Sequence, residues 1–345
     1  MNNEFYILSL RERNRSAAMC CVVEFEQSIA EFLAAKYIGS ADDILNPGRA
    51  VVFCIGISIY DIDGVSDELL YMRRGGARVV IYVFDCWGIA EHLSNFKRSL
   101  KKRLFKKLDF RNICDLLCLP FRQEVNTLRQ ELAFNVAHVP IGVNTSKSVI
   151  GVRARTVDVM AYGRQPRALV DLLSLRFNSA GTPGLMYHTD HIAMGDVRDI
   201  DSHRRMFWSI LASAKLALAY DVMVCPGKRV FPYSIVGQRW FESLAAGCVV
   251  VGRRPQTDEY EELLDWQDAT IELKDEPQLA VEQVLELLTD RDRLTVISQR
   301  NAQHVRSKHD WSFRIMAMLR ALNADVPPLL DERAEQLARG CDSVA

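Results

Sequence analysis

The feature that most constrains the fold of this chain is a regular alternation of short apolar runs with helical patterns. In the first half, runs typical of buried strands occur at 50–60, 77–84 and 113–120, and a shorter one lies within 131–144. In the second half they return at 157–163, 184–188, 215–220, 248–251 and 268–273. Strands that alternate with helices predict α/β structure, in which parallel sheets carry helices on both faces.

A polar segment without helical period, NTSKSVIGVRART (144–156), separates the two sets of strands and is the best candidate for a linker. We therefore expect one Rossmann-like domain over 1–143, a second over 157–325, and a C-terminal helix or tail over 326–345. The two domains are expected to face a cleft. Because ligands of such sheets bind beyond the carboxyl ends of the strands, functional residues are expected there.

The composition is that of a soluble globular protein, with 49% hydrophobic and 25% charged residues among 345. A net charge of −1 gives no overall field that would favour nucleic acid as a partner. The nine cysteines, an odd number set mostly in apolar stretches, indicate reduced thiols rather than a disulfide framework. Since no apolar run is long enough for a signal peptide or a membrane span, the expected location is the cytoplasm.

One segment departs from this balanced charge. FKRSLKKRLFKKLDFRN (96–112) contains eight basic residues and one acidic residue, and its apolar residues form a stripe at helical spacing. Such a basic amphipathic helix could lie on an anionic membrane surface, which would make the protein peripheral on the inner face of a membrane. It could equally be a surface helix whose basic face is solvated, and the sequence leaves both readings open.

The stretch VGQRWFESLAAGCVVVG (236–252) predicts a short helix followed by a buried strand. Gly247 suits the left-handed residue that closes a helix, and the apolar run after it is typical of a strand covered on both sides. Gln238 and Glu242 are four residues apart and share one face of the helix. The opposite, apolar face consists of Trp240, Phe241, Leu244 and Ala245.

The start of this helix has the properties of a phosphate site. A helix N-terminus offers unpaired N–H groups and partial positive charge, and Gly237 would let a ligand approach the backbone. Lys228, Arg229 and Arg239 are brought to the same end, where they can pair with phosphate oxygens. Glu242, one turn later, can accept hydrogen bonds from the vicinal hydroxyls of a ribose. The alternative is that Arg239 and Glu242 form local surface pairs.

Common phosphate and catalytic signatures are missing from the sequence, including the P-loop, the Gly-x-Gly-x-x-Gly fingerprint, the nucleophile elbow and His-Glu-x-x-His. Two Asp-Ile-Asp triplets occur, at 61–63 and at 199–201. The first follows a strand, where Asp61 and Asp63 could hold a divalent cation on a diphosphate. A metal-dependent transferase built on this pair is therefore an alternative, and a chance triplet at a strand end is the simpler reading.

Several motifs resemble those of GT-B glycosyltransferases that use nucleotide sugars. RWFESLAAGCVVVG resembles their Glu-x-x-Ala-x-Gly donor helix with the strand after it, and VDVMAYGRQP resembles the first strand of their C-terminal domain. ICDLLCLPFRQEVNTLRQELAFNVAHVPIGVNT is similar to the run that crosses between their domains, and HDWSFRIMAMLRAL to a late helix. Each motif is short, and together they extend over roughly 110–320.

The resemblance implies a glycosyltransferase whose N-terminal domain binds a saccharide or lipid-linked acceptor and whose C-terminal domain binds a nucleoside-diphosphate sugar. It implies that Glu242 contacts the ribose and that Arg164 and Arg229 contact the diphosphate. In such a fold no metal or other cofactor is expected, because cationic side chains and a helix dipole stabilise the leaving diphosphate.

Two departures from the family pattern bear on function. Many retaining members carry a first glutamate with seven residues between it and the second, and here that position is Ser234, which we include among the donor-binding candidates. The family's lysine after Gly-Arg is also missing, with Arg167 the nearest substitute. A catalytically degenerate GT-B scaffold that binds a nucleotide or a partner without turnover is therefore the non-enzyme alternative.

The catalytic group is expected at a strand end of the first domain. Asp85 follows the apolar run 77–84 directly and could act as the general base toward an acceptor hydroxyl, while His92 lies shortly after it. The alternative for Asp85 is a cap on the next helix. His188 and His191 could touch the donor but are better explained as residues of a polar loop.

Overall fold

The structure is a computed structural model that describes residues 3–16, 18–89, 110–132, 135–147, 154–189, 197–224 and 231–339. The chain divides into two compact units. The first contains the described residues up to Ile141 and also Trp311–Gln336; the second contains most of the described residues between Gly142 and Asp310. Among the described helices, none is both long and apolar enough to cross a membrane.

The first unit is built on a sheet of six parallel strands in the order β2-β1-β3-β4-β5-β6. Its strands are β1 Glu4–Leu8, β2 Lys36–Ile38, β3 Ala50–Gly56, β4 Arg78–Val83, β5 Leu116–Leu119 and β6 Val136–His138. Every residue of β3 is buried, as its unbroken apolar sequence predicts. The sequence analysis assigned no element before residue 50, so β1 and β2 are additions.

The helices of the first unit cover both faces of this sheet. They are α1 Met19–Leu33, α2 Ile59–Asp63, α3 Ser66–Arg74, α4 Phe110–Ile113, α5 Arg122–Leu132, and the late helices α12 Trp311–Ala321 and α13 Pro328–Arg339, of which α13 belongs to this unit up to Gln336. Helix α1 is a central element, because Phe25 packs edge-on against Tyr82 of β4 with ring centroids 5.4 Å apart.

The late helix α12 is a correction to the expected domain boundaries. The sequence prediction grouped 157–325 as one domain, whereas Trp311–Gln336 belongs to the first unit. Trp311 stacks on Phe25 with ring centroids 4.0 Å apart, and Arg314 donates from Nε to the carbonyl of Pro140 at 2.9 Å. Aromatic burial of this size outweighs proximity along the chain, so the helix packs with the unit that precedes it by more than 150 residues.

The second unit is built on five parallel strands in the order β11-β10-β9-β7-β8. The strands are β7 Val157–Tyr162, β8 Met186–Thr189, β9 Ala214–Ala219, β10 Val249–Gly252 and β11 Ile271–Glu272. The helices are α6 Arg167–Asn178, α7 Ile200–Ala212, α8 Gln238–Ala245, α9 Asp258–Leu263, α10 Pro277–Thr289 and α11 Arg291–Lys308. All five predicted strands of this half are present, with small shifts at their ends.

The two sheets share one topology. In each, the second strand lies outside the first, and the remaining strands follow on the other side. The direction of winding therefore reverses between β1 and β3 in the first unit and between β7 and β9 in the second. At such a reversal the connections leave in opposite directions and open a crevice at the carboxyl ends of the strands, which is where open α/β sheets bind ligands. Each unit is thus Rossmann-like, as predicted.

Candidate active site

The crevice of the second unit is spanned by the side chain of Gln165, which follows β7 by three residues. Its Nε2 donates to the carbonyl of Tyr162 at the end of β7 and to that of Leu218 in β9, both at 2.9 Å. Its Oε1 is buried and makes no hydrogen bond within the described residues. Gln165 therefore links the ends of β7 and β9 through its Nε2, while its Oε1 accepts no hydrogen bond from the described residues.

The turn between β7 and α6 is held by Arg239. Gly163 has φ +71°, a conformation that favours glycine, and a Cβ there would lie 3.2 Å from Nε of Arg239. The Arg239 guanidinium donates to the carbonyl of Arg164. Arg239, predicted to bind phosphate, thus positions the Gly163–Arg164 turn. The guanidinium of Arg164 itself lies over the ring of Phe231, 5.0 Å from its centroid.

Helix α8 begins at the same edge of the sheet. Gly237 is its N-cap residue, with an ordinary φ of −85°, and a Cβ there would make only van der Waals contact with Trp240. Gln238 donates from Nε2 to the carbonyl of Gly142 at 3.2 Å, and its Oε1 is buried without a hydrogen bond within the described chain. The described surroundings of Gly237 therefore do not require a glycine at this position.

Glu242 is buried rather than at the surface, with 4% of its area exposed. Its Oε1 accepts a hydrogen bond of 2.6 Å from Nη2 of Arg204, a buried residue of α7. The Arg204 guanidinium lies over the ring of Phe207, 4.4 Å from its centroid, and 5.6 Å from that of Trp208. The expected alternative of a local surface pair is therefore wrong for Glu242, which is buried, while Arg239 is half-buried and bonded to the carbonyl of Arg164.

A second contact fixes α8 against β7. The hydroxyl of Tyr162 lies 3.0 Å from Oγ of Ser243 and donates to the carbonyl of Arg239 at 3.3 Å. Burial raises the pKa of Tyr162, and the negative charge of Glu242 raises it further, so this phenol stays neutral. Tyr162 also packs edge-on against Phe207, with ring centroids 5.2 Å apart.

Asp221, two residues past β9, is a buried carboxylate at the same edge, with 3% of its area exposed. Its Oδ1 accepts from the N–H of Met223 at 2.7 Å, and its Oδ2 makes no hydrogen bond within the described residues. Burial raises the pKa of Asp221, while the nearby hydroxyl of Ser234 and the N–H groups of Met223 and Ile235 lower it in part. Ser234 therefore lies beside an acidic group that the sequence analysis did not single out.

Buried polar atoms without partners are concentrated at this edge. They follow the carboxyl ends of β7, β9 and β10 or lie at the start of α8, and in the described chain they include Gln165 Oε1, Asp221 Oδ2, Gln238 Oε1 and Thr257 Oγ1. A buried polar atom without a hydrogen bond costs about 1–3 kcal/mol. Such atoms gathered at the crevice of a doubly wound sheet are the mark of a site built for a polar ligand.

Residues 164–320 match a family model described as glycosyl transferase-like. Among solved structures, HepE of Anabaena in complex with UDP-glucose aligns with a TM-score of 0.55 and 10% identity, over 92% of this chain and 99% of that one. A mutant of S. aureus TarM in complex with fondaparinux, alpha-GlcNAc-glycerol and UDP aligns with a TM-score of 0.50 and 10% identity. That alignment covers 82% of this chain and 57% of TarM, so the chain spans a little over half of TarM's length.

The chain has the GT-B fold. At 10% identity the structural likenesses show the fold alone, and the glycosyl transferase-like family model matches 164–320, a little under half of the chain. A search among curated proteins finds no match to the sequence.

In the first unit, Asp85 lies at the expected edge, two residues past β4. It is half-buried, and its N–H donates to the carbonyl of Ile57 at 2.6 Å. His92, Lys228, Arg229 and His191 lie outside the described residues, as does the basic segment up to residue 109.

The two Asp-Ile-Asp triplets have local roles in the structure. Asp61 accepts from the N–H of Ser58 at 2.8 Å, closing a capping box on α2, and from Nδ2 of Asn14 at 2.9 Å. Asp199 caps α7 by accepting from the N–H of Ser202 at 2.9 Å. In the part of the chain that the structure describes, no group of three or more His, Cys, Asp or Glu side chains is arranged to hold a metal ion.

Sequence reasoning missed four residues of this candidate site: Tyr162, Gln165, Arg204 and Asp221. Two of them could have been found. Gln165 is the first side-chain amide after the predicted strand 157–163, and Asp221 is the first carboxylate after the predicted strand 215–220. Each is therefore expected at the carboxyl end of a strand. Arg204 has no such signal, because its partner Glu242 is 38 residues away.

Proposed function

We propose that this protein is a glycosyltransferase that moves a sugar from a uridine diphosphate sugar to a hydroxyl of a saccharide or lipid-linked saccharide, without a metal ion. The observation that carries the proposal is the group of unpaired buried polar atoms at the ends of β7, β9 and β10. A nucleoside diphosphate sugar is rich in the hydroxyl, carbonyl and phosphate groups that such a site lacks.

The donor would be divided among elements of the second unit. Glu242 accepts from the ribose hydroxyls, as its acceptor-only carboxylate suits. The diphosphate lies at the start of α8, where the N–H groups of Gln238 and Arg239 and the side chain of Arg164 supply positive charge. Lys228 and Arg229 are assigned to the same diphosphate from sequence alone.

Uridine is proposed because two structural neighbours of suitable similarity were solved with it. HepE was solved with UDP-glucose and the TarM mutant with UDP, and the latter complex also contains fondaparinux and alpha-GlcNAc-glycerol. A saccharide-like acceptor for this chain is proposed on the same ground.

Metal independence is proposed from charge. A leaving diphosphate needs compensation for the negative charge that it develops, and arginine side chains with a helix N-terminus supply it from fixed positions. The metal-dependent alternative gains nothing from Asp61, because both of its oxygens already accept hydrogen bonds from Ser58 and Asn14.

In the reaction, the bond between the anomeric carbon and the diphosphate oxygen breaks, and the acceptor oxygen forms a bond to that carbon. The acceptor hydroxyl loses its proton to Asp85, and the diphosphate leaves with the electron pair of the broken bond. Asp85→Asn is expected to lower turnover about 100-fold or more while UDP affinity stays unchanged. Equal turnover in the variant would remove Asp85 from this role.

The first experiment is a thermal-shift panel of UDP, GDP, ADP, CMP and TDP, each with and without a chelator. A ligand at about a hundred times its Kd stabilises the folded state by about 2.7 kcal/mol, which raises Tm by a few degrees. We expect a shift with UDP that the chelator leaves unchanged and that Glu242→Ala removes. Glu282→Ala, an exposed position on α10, is the matched control and should retain the shift.

Binding without turnover would support the scaffold alternative. The test is the release of free UDP from UDP-sugars, with and without a panel of saccharide acceptors. Acceptor-dependent release supports the transferase, whereas a UDP-induced shift with no release under any acceptor supports a nucleotide-binding scaffold. A shift that the chelator abolishes would favour the metal-dependent alternative.

For the acceptor, we propose a lipid-linked saccharide at the inner face of a membrane, on the basis of the basic segment 96–112. Eight basic residues would be attracted to anionic lipid by about 1 kcal/mol each near the surface. Co-sedimentation with vesicles of anionic lipid should fall steeply as salt rises. Equal sedimentation with neutral vesicles would exclude this surface.

A further inference from the structure

The pair formed by Arg204 and Glu242 is the most enclosed ion pair in the described part of the second unit. The side chains expose 10% and 5% of their area, and the bond between Nη2 and Oε1 is 2.6 Å. Taking two charges out of water costs several kcal/mol for each, and their attraction repays this only when the geometry is very good. Apolar residues of similar volume would serve stability as well. Stability alone therefore does not account for the pair.

We propose that Arg204 is a positioning residue for the donor: it fixes the Glu242 carboxylate in one orientation and keeps it charged for the ribose hydroxyls. This inference rests on the proposed function, in which Glu242 contacts the ribose. Arg204 itself acts through Glu242 and is not assigned a contact with the donor.

The surroundings of Arg204 fix its plane as well as its charge. Its guanidinium lies over Phe207 at 4.4 Å from the ring centroid and near Trp208 at 5.6 Å, and both rings belong to the same helix. A planar guanidinium stacked on an aromatic ring keeps its N–H groups in a fixed direction, which a flexible ammonium does not. The direction of the hydrogen bond to Glu242 is therefore set by α7.

The other end of the pair is fixed too. Ser243, next to Glu242, lies 3.0 Å from the hydroxyl of Tyr162, and Tyr162 packs edge-on against Phe207. Three elements, β7, α7 and α8, thus converge on one carboxylate. A binding group held this way loses little conformational freedom when a ligand binds, which is how preorganisation raises affinity.

Among the described residues, the charged and titratable groups near Glu242 include Arg204 from α7 and Tyr162 from β7. Tyr162 stays neutral, and Arg239 of α8 is directed to the carbonyl of Arg164. Arg204 donates directly to the Glu242 carboxylate. Its positive charge favours the carboxylate over the protonated carboxyl group, which is a poorer acceptor for ribose hydroxyls.

The test measures the Kd of UDP by calorimetry at pH 6 and pH 8 for the wild type, Arg204→Met, Arg204→Lys and Arg205→Met. Arg205, exposed on the same helix, donates to Ser202 and is the matched control. The Kd of each variant is divided by the wild-type Kd at the same pH, so that the titration of UDP itself cancels. Arg204→Lys keeps the charge and serves if Arg204→Met does not fold.

We expect Arg204→Met to weaken UDP binding at least 10-fold at pH 8 and by a larger ratio at pH 6. Arg204→Lys should weaken it several-fold at both pH values, and Arg205→Met should leave it unchanged. A structural role alone would lower Tm without a pH-dependent ratio. Unchanged affinity in the Arg204 variants overturns the inference, and tighter binding overturns it by showing that the pair competes with the ribose.

The outcomes separate the two proposals. If the wild type and Arg205→Met bind none of the nucleoside diphosphates in the thermal-shift panel, the proposed function is wrong and the inference falls with it. If both bind UDP and the Arg204 variants bind it equally well, only the inference is wrong.

Discussion

Two buried glutamates, one in each unit, occupy similar places but have very different bonding partners. Glu242 on α8 and Glu26 on α1 both sit in helices packed on a parallel sheet, exposing 4% and 0% of their area. Glu242 is bonded to Arg204. Glu26 accepts from Oγ of Ser9 at 2.7 Å, and its Oε1 makes no hydrogen bond within the described residues.

The difference separates two ways of burying a carboxyl group. Burial raises the pKa of Glu26 to about 7, with Ser9 and the charge of Arg11 lowering it only in part, so near neutrality it carries a proton for much of the time. Glu242 has a guanidinium in contact and is equipped to remain an acceptor. A carboxylate bonded to a cation is suited to bind hydroxyl groups. A buried carboxyl group without a bonded cation makes the stability of its unit depend on pH.

The largest expected effect comes from breaking the pair between Arg204 and Glu242. Arg204→Met leaves a buried carboxylate without its cation and is expected to lower the free energy of unfolding by about 3 to 5 kcal/mol. Thermal and urea unfolding of the full chain measure it, with Arg205→Met as the control expected to change little. A loss below about 1 kcal/mol, the value of an exposed pair, would mean that water reaches the pair.

The next effect concerns the pH dependence of the first unit. The pKa of Glu26 is about 7 in the folded chain against 4.5 ordinarily, so the unfolded chain releases the proton first as pH rises. The contribution of Glu26 to stability is therefore largest below pH 4.5 and falls by about 3 kcal/mol as pH rises to 7, at about 1.4 kcal/mol per pH unit. Glu26→Gln should remove this part of the dependence.

Hydrogen exchange of the α1 amides, corrected for the intrinsic effect of pH, measures the Glu26 contribution. Glu31→Gln, exposed on the same helix, is the control and should keep the wild-type profile. A profile unchanged by Glu26→Gln would show that Glu26 is ionised throughout, and the contrast with Glu242 would disappear.

A smaller effect is expected from Ser9→Ala, which removes the hydroxyl that donates to Glu26. A hydrogen bond to a neutral group contributes about 1 kcal/mol and one to a charged group about 1.5 to 3 kcal/mol. The loss in unfolding free energy should therefore be larger at pH 8 than at pH 5. In a Glu26→Gln background the two values should become equal, and a persistent difference would point to another titrating group.

The smallest effect is expected from Tyr162→Phe in the second unit. It removes the hydroxyl between Ser243 and the carbonyl of Arg239, at a cost of about 0.5 to 1.5 kcal/mol. Tyr187→Phe, a half-buried position on β8, is the matched control for thermal unfolding. If the two variants lose equal stability, the Tyr162 hydroxyl does not fix α8.

The sequence was sufficient for the strands that are continuous apolar runs, such as β3, β5 and β10, because burial on both faces leaves no polar position in them. It was insufficient for β1 and β2. Residues 4–8 are a five-residue strand next to a polar stretch, and Lys36–Ile38 is three residues long and partly exposed, so neither has a usable period. The placement of α12 depends on the stack between Trp311 and Phe25, which no local pattern encodes.

The site divides in the same way. Glu242 was predicted because its helix and strand form one local pattern, but the pattern does not reveal that the carboxylate is buried. A charged residue on a helix that is otherwise buried requires a partner, and that requirement could have directed attention to the paired arginines of α7. Which of the two faces inward depends on how α7 packs, and only Arg204 does.

Arg155 shows what long-range contacts mean for the order of folding. Its guanidinium donates to the carbonyls of Ala214 and Ala246, at 2.5 and 2.8 Å, and to the hydroxyl of Ser298, at 3.3 Å. These partners lie 59, 91 and 143 residues further along the chain, so the three contacts close large loops and are expected to form after the rate-limiting step. Arg155→Lys should then accelerate unfolding and leave the refolding rate nearly unchanged, which stopped-flow measurements would show. The lifetime of the folded second unit would thus depend on the Arg155 side chain, whereas its folding rate would not.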